Sequence, residues 1–176
     1  MGRAAVRLSS GGPGSGPTLV GVQAGPVSPT PDVDLSTMDG LEQLEAFFDG
    51  RLPPPPIGET VGMEAFHAER GAVSVELVPQ RRHYNPIGSV HGGVISTLLD
   101  TAAGCAVHST LAVGELYTSL DLTVKFLRPV TVESGRLRAE GSVLQRGRRT
   151  ALAQAQLFDA ESRLVAHATS TCMIFT

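Results

Sequence analysis

The sequence predicts an α+β domain in which a curved antiparallel sheet of about six strands wraps around one long central helix. Three observations carry this. From Val94 to Ala112 the chain reads VISTLLDTAAGCAVHSTLA, with Asp100 its sole formal charge, and a helix that is apolar nearly all round belongs in a core. Before and after this run, residues alternate with the two-residue period of half-buried strands. The turns between those segments are mostly of hairpin length, which favours antiparallel pairing. One sheet cannot cover a helix on every side, so the uncovered face and the sheet edge predict at least a dimer.

Taken in order, residues 1–37 are rich in Gly, Pro, Ser and Ala and lack hydrophobic periodicity. They read as a disordered extension, with the folded domain at residues 38–176. Ser36 or Thr37 is placed to cap a short helix over Met38 to Phe48, striped by Leu41, Leu44 and Phe47 or Phe48. Gly50 stops it, and Pro53 to Pro56 forbid its continuation. Met63 to Ala68 and Ala72 to Val78 read as strands around a tight turn at Glu69, Arg70 and Gly71, and the long helix follows. From Tyr117 a single strand is expected, with Thr118, Leu120, Leu122, Val124 and Phe126 on one face and Tyr117, Ser119, Asp121, Thr123 and Lys125 on the other. Gly135 to Gln145, Thr150 to Phe158 and Leu164 to about Phe175 complete the sheet.

A chain of 176 residues, 41% of them hydrophobic, can bury one sizeable core. Its net charge of -3 gives no global attraction to nucleic acid or to an anionic membrane. Asp100, His108 and several hydroxyls argue against the long helix as a membrane span. Cys105 and Cys172 lack the close pairing of a zinc or redox motif and read as small core residues. The first residues hold no apolar stretch of signal-peptide length, so a cytoplasmic protein is expected.

Asp100 is the first residue to explain, because an unpaired carboxylate is rarely buried without a use. Ser96 and Gly104 share its helix face, with Thr97 and Ala103 close by, leaving room for water or substrate. It is a candidate base or nucleophile, against the plainer reading of a carboxylate hydrogen-bonded across an interface. Gly92 and Gly93 stand where the helix begins, so a carbonyl oxygen can approach the free N–H groups of its first turn. A tight turn without a ligand is the plainer alternative. His91 is either a general base or a structural hydrogen-bonding residue. His83, His91 and Asp100 match no close metal-ligand spacing, and no Gly-x-Ser-x-Gly elbow is present, so neither a metal site nor a serine hydrolase is expected. Lys125, Arg128, Arg146, Arg148 and Arg149 could gather at one end of the sheet to hold phosphates.

The segment Asn85-Pro-Ile-Gly-Ser-Val-His91-Gly92-Gly93 followed by Asp100, with the strand Ser119-Leu-Asp-Leu-Thr-Val-Lys-Phe-Leu-Arg-Pro129, resembles the hotdog-fold acyl-CoA thioesterases of the phenylacetic acid degradation (PaaI-like) type. The match spans about Met38 to Thr176. The resemblance implies that the Gly92 N–H, supported by Asn85, polarises the thioester carbonyl, and that His91 orients Asn85 and the loop. It implies Asp100 of the facing subunit as base or nucleophile, Ser119 as an aid in positioning water, and the phosphates of coenzyme A held near Gly93 and the basic residues above. It further implies homodimers that pair into homotetramers, with no metal or redox cofactor, coenzyme A entering only as part of the substrate. Where some relatives carry threonine one turn after the carboxylate, this chain has Gly104. The activity expected is hydrolysis of an acyl-CoA to free acid and coenzyme A. The alternatives are a hotdog dehydratase or hydratase, and a non-catalytic acyl-CoA-binding protein.

Overall fold

The structure, a computed structural model, describes residues 34–176, so most of the expected extension lies outside the described residues. Among these residues three α-helices, α1 (Gly40–Phe48), α2 (Pro56–Val61) and α3 (Gly92–His108), accompany seven strands. These are β1 (Met63–Glu69), β2 (Ala72–Leu77), β3 (Leu116–Ser119), β4 (Thr123–Phe126), β5 (Leu137–Arg146), β6 (Thr150–Phe158) and β7 (Leu164–Phe175). All neighbours pair antiparallel in the order β1-β2-β5-β6-β7-β3, with β4 also on β7. The sheet wraps α3, whose Leu98, Leu99, Ala102, Ala103 and Val107 are fully buried against β2, β5, β6 and β7. A glycine sets how closely they pack: a Cβ on Gly141 of β5 would stand 2.1 Å from the Ala102 carbonyl oxygen.

Two local expectations are corrected. The cap of α1 is Asp39, whose carboxylate accepts from the Leu41 and Glu42 N–H groups while Glu42 accepts from the Asp39 N–H; Ser36 and Thr37 lie in a preceding 3-10 turn. Helix α1 ends at Phe48, with Gly50 just beyond it in the left-handed region, and the proline run that follows starts α2, because Pro56 occupies a first helical turn, where no N–H is needed.

The strand expected from Tyr117 to Phe126 is two strands with a bulge between them. Ser119 pairs Cys172 and Thr123 pairs Thr169, so four steps on one side match three on the other. Asp121 fills the irregularity: its carbonyl accepts from the Ser170 hydroxyl at 2.8 Å and its carboxylate from the Thr171 N–H at 3.0 Å. The extra residue flips the alternation. Tyr117 faces the helix before the bulge, and Leu122 and Val124 face it afterwards, so the single-face assignment does not hold across the break.

Helix α3 stops at His108, short of the apolar run's end. The β1–β2 turn closes it: the Ser109 hydroxyl accepts from the Gly71 N–H at 2.7 Å, and Arg70 donates to the Ser109 carbonyl at 3.2 Å. A cation at that terminus also suits the helix dipole.

Candidate active site at the N-terminus of the central helix

The loop ahead of α3 is closed on itself. The Asn85 Oδ1 accepts from the Ile87 and Ser89 N–H groups at 3.1 and 3.2 Å, and Nδ2 donates to the Ser89 hydroxyl at 3.0 Å. Val90 N–H then bonds Val130, and His91 N–H bonds His83, which fixes the direction in which α3 begins. The His91 ring caps the helix, Nδ1 accepting from the Gly93 N–H at 2.8 Å, which puts the neutral ring's proton on Nε2. His91 therefore holds the helix terminus, and Asn85 is oriented by its own loop.

That cap takes the Gly93 N–H and leaves the Gly92 N–H without an acceptor among the described residues. It borders a cavity of about 390 Å³ lined also by Asn85, Ile95, Phe126 and Arg128. The Phe126 ring lies against Gly92, its Cζ 3.1 Å from where a Cβ would stand, so a larger residue here would crowd the donor.

Asp100 is half-buried and has no hydrogen-bond partner among the described residues. Burial raises its carboxyl above the ordinary carboxylate range. The Cys105 thiol is pushed up to about 12 by burial, with the Asp100 charge adding to it. The Tyr117 phenol is raised by burial first and then by Cys105, Cys172 and Asp100. These groups thus form one neighbourhood, with Ser119 two residues along the same face of β3 as Tyr117. Eight residues at a 1.5 Å rise put Asp100 about 12 Å along the helix from Gly92. One chain therefore does not bring its own carboxylate to its own free N–H.

A model of the thioesterase superfamily matches residues 87–166. A solved structure, that of a phenylacetic acid degradation-related protein from Ralstonia eutropha JMP134, is 31% identical over 73% of this chain and 97% of that one, with a TM-score of 0.66. The chain belongs to the thioesterase superfamily, and its fold is the hotdog fold of the PaaI-like thioesterases. The PaaI protein of Escherichia coli has the same fold at 21% identity, covering 78% of this chain and 94% of that one, with a TM-score of 0.67. The medium/long-chain acyl-CoA thioesterase YigI of Escherichia coli K12 is 37% identical over 98 residues, 48% of this chain and 62% of that protein's length.

At Gly104, Tyr117 fills the space beside the helix. The Tyr117 hydroxyl stands 2.7 Å from where a Cβ on Gly104 would be. The alternation grouped Tyr117 with Asp121, Thr123 and Lys125 on one face and gave no signal that it alone of these packs on the core.

The five basic residues do not gather at one end. Arg128 bonds through its backbone N–H to Val165 at the start of β7, and Lys125 pairs with His167. Arg149 instead meets Ile174 at the far end of β7, nine residues or about 30 Å away. Arg146 is also held there, donating to Glu115 at 2.5 Å and to the Gly147 carbonyl, and Arg148 and Arg149 line the groove beside Phe175. Only Lys125 and Arg128 lie at the end of the sheet where α3 begins. Among the described residues no helix is long and apolar enough to cross a membrane.

Proposed function

We propose that the chain hydrolyses the thioester of an acyl-CoA to a free acid and coenzyme A, at a site completed by two copies of the chain. One observation carries the reading: the Gly92 N–H and the Asp100 carboxylate, each without a partner among the described residues, lie about 12 Å apart on a helix whose face between them is only part-buried. An antiparallel second copy would set Asp100 of the partner subunit opposite Gly92. The β3–β4 edge supports such a pairing, since Leu120, Phe126 and Leu127 there are more than half exposed.

In this site the thioester oxygen accepts from the Gly92 N–H, which stabilises the charge that develops on it. Asp100 takes a proton from water as the water oxygen bonds the carbonyl carbon. The C–S bond then breaks, and the thiolate of coenzyme A leaves and is protonated. In the alternative route the Asp100 carboxylate attacks directly, and water cleaves the resulting anhydride. Asn85 holds the loop that carries Gly92, Ser119 helps to position the water, and Gly93, Lys125 and Arg128 lie where they can meet the nucleotide end of the substrate. An acyl-CoA substrate also agrees with the likeness to the acyl-CoA thioesterase YigI of Escherichia coli. Homodimers pairing into homotetramers, and a cytoplasmic location, belong to the same proposal.

The test is thiol release from a panel of aromatic and aliphatic acyl-CoAs by wild type, Asp100→Ala and Asp100→Asn. The expected result is turnover that falls about a hundredfold or more in both folded variants. Release from no substrate, or release indifferent to Asp100, would favour the binding or dehydratase readings.

A further inference from the structure

Tyr117 enters the core from β3 and meets α3 where the helix has no side chain. Its ring stands edge-on to His108 with centroids 5.8 Å apart, and its hydroxyl lies one turn nearer Asp100, 2.7 Å from where a Cβ on Gly104 would be. His108 is turned elsewhere, its Nε2 3.0 Å from the Gln43 Oε1. Among the described residues the Tyr117 hydroxyl has no hydrogen-bond partner, whereas the chain's other tyrosine, Tyr84, accepts from the Val132 N–H at 2.8 Å. A largely buried phenol ordinarily finds one. Burial, and then the charges that Cys105, Cys172 and Asp100 can carry, disfavour the phenolate, so this hydroxyl keeps its proton. Tyr117 also borders a cavity of about 450 Å³ with Thr101 and Cys105, which gives water a way in.

We infer that the Tyr117 hydroxyl holds the attacking water beside Asp100 of its own chain, and that residue 104 is glycine because any side chain there would displace that hydroxyl. The inference rests on the proposed thioesterase reading. Residues four apart on one helix face have Cβ atoms about 5–6 Å apart, so the hydroxyl at Gly104 and the Asp100 carboxylate are separated by about the span of one water making two hydrogen bonds of about 2.8 Å. The water donates one O–H to the carboxylate, which takes that proton as the water oxygen bonds the thioester carbon. Its other O–H is donated to the Tyr117 oxygen, which leaves a lone pair aimed at the carbonyl. Ser119, two residues along the same face of β3, supplies a second hydroxyl on that side. Asp100 and Tyr117 thus arrive as one unit from the subunit that faces Gly92.

Tyr117→Phe removes the hydroxyl and keeps the ring. With the hydroxyl gone, the atom nearest a Cβ on residue 104 is the ring Cζ at 3.5 Å, an ordinary contact. Gly104→Ser therefore fits in that background and returns a hydroxyl from the helix side, while Gly104→Ala returns only the carbon. Wild type, Tyr117→Phe and the two double variants are compared by two readouts, with melting curves showing each folded. The first is kcat and KM for thiol release from acyl-CoAs. The second needs no turnover: the pH titration of the Asp100 carboxyl carbon by NMR, its signal assigned by its loss in Asp100→Asn. Tyr117→Phe is expected to lower kcat by about tenfold with KM little changed, and to raise the Asp100 midpoint by about half a pH unit, because the bridging water favours the ionised form. Serine at 104 should reverse most of both effects, and alanine neither. An unchanged kcat, a loss confined to KM, an unmoved Asp100 midpoint, or a serine that restores no more than alanine would each overturn the inference. If wild type releases thiol from no acyl-CoA while the titrations behave as expected, the thioesterase reading falls and the water bridge between Tyr117 and Asp100 stands.

Discussion

Replacing Gly92 by proline removes the proposed carbonyl-polarising donor with little other disturbance. Gly92 is the first residue of α3, where the N–H has no intrahelical partner and proline is tolerated. The residue before a proline must be extended, and His91 already is, at φ -61 and ψ 135. The Cβ of the new ring meets Phe126, a side chain more than half exposed and able to swing aside. Stability should therefore stay within about 1 kcal/mol of wild type. Loss of one donor to a developing oxyanion slows turnover by about a hundredfold to a thousandfold, or roughly 3 kcal/mol. Thiol release under saturating acyl-CoA, beside a melting curve, reads both quantities. Gly92→Ala displaces Phe126 similarly but keeps the N–H, and should lose less than tenfold. Activity of Gly92→Pro within tenfold of wild type, with the fold intact, would refute the role of this donor.

Asp100 acts ionised, and burial raises its pKa, so the acid limb of kcat/KM should have its midpoint above the ordinary aspartate value of about 4 and vanish in Asp100→Asn. The stability consequence has the opposite sense. A folded-state pKa above the unfolded one means that the folded protein loses stability as pH rises through that window, so at pH 7 Asp100→Asn should melt a few degrees higher than wild type while being inactive, and a lower melting temperature would contradict the desolvation argument. Gly141→Ala drives a methyl against the α3 backbone and should destabilise the domain by about 2 kcal/mol or more, read as a denaturation midpoint; a neutral effect would mean that the sheet and helix are not in direct contact there.

Where local rules decided the structure, the sequence was readable. Thr150–Phe158 and Leu164–Phe175 alternate cleanly between turn signals, and both strands end where the pattern does. The start of α3 at Gly92 was marked by paired glycines after a residue able to cap. The bulge at Asp121 was not legible, because Ser119 to Phe126 alternates without interruption and the irregularity arises from bonds to Ser170 and Thr171, some 50 residues away. Helix α2 was hidden for a different reason: prolines forbid continuation of one helix and suit the first turn of the next, and only packing distinguishes the two. The basic residues looked like one cluster because Lys125 to Arg149 is a short stretch of chain, yet β5 runs the length of the sheet between Arg128 and the arginine hairpin. Asn85, His91, Gly92 and Asp100 could be singled out as candidates, but the hydrogen bonds of Asn85 and His91 could not be read, and the bond from the Gly93 N–H assigns His91 to the helix cap.

Subunit mixing tests the composite site most directly. Gly92→Pro and Asp100→Asn chains, each inactive alone, are co-refolded in equal amounts. If Gly92 and Asp100 act across the interface, each mixed dimer holds one intact and one doubly defective site, and about a quarter of wild-type activity returns. If both act within one chain, every site in every dimer keeps a defect, and the mixture stays as inactive as its parts.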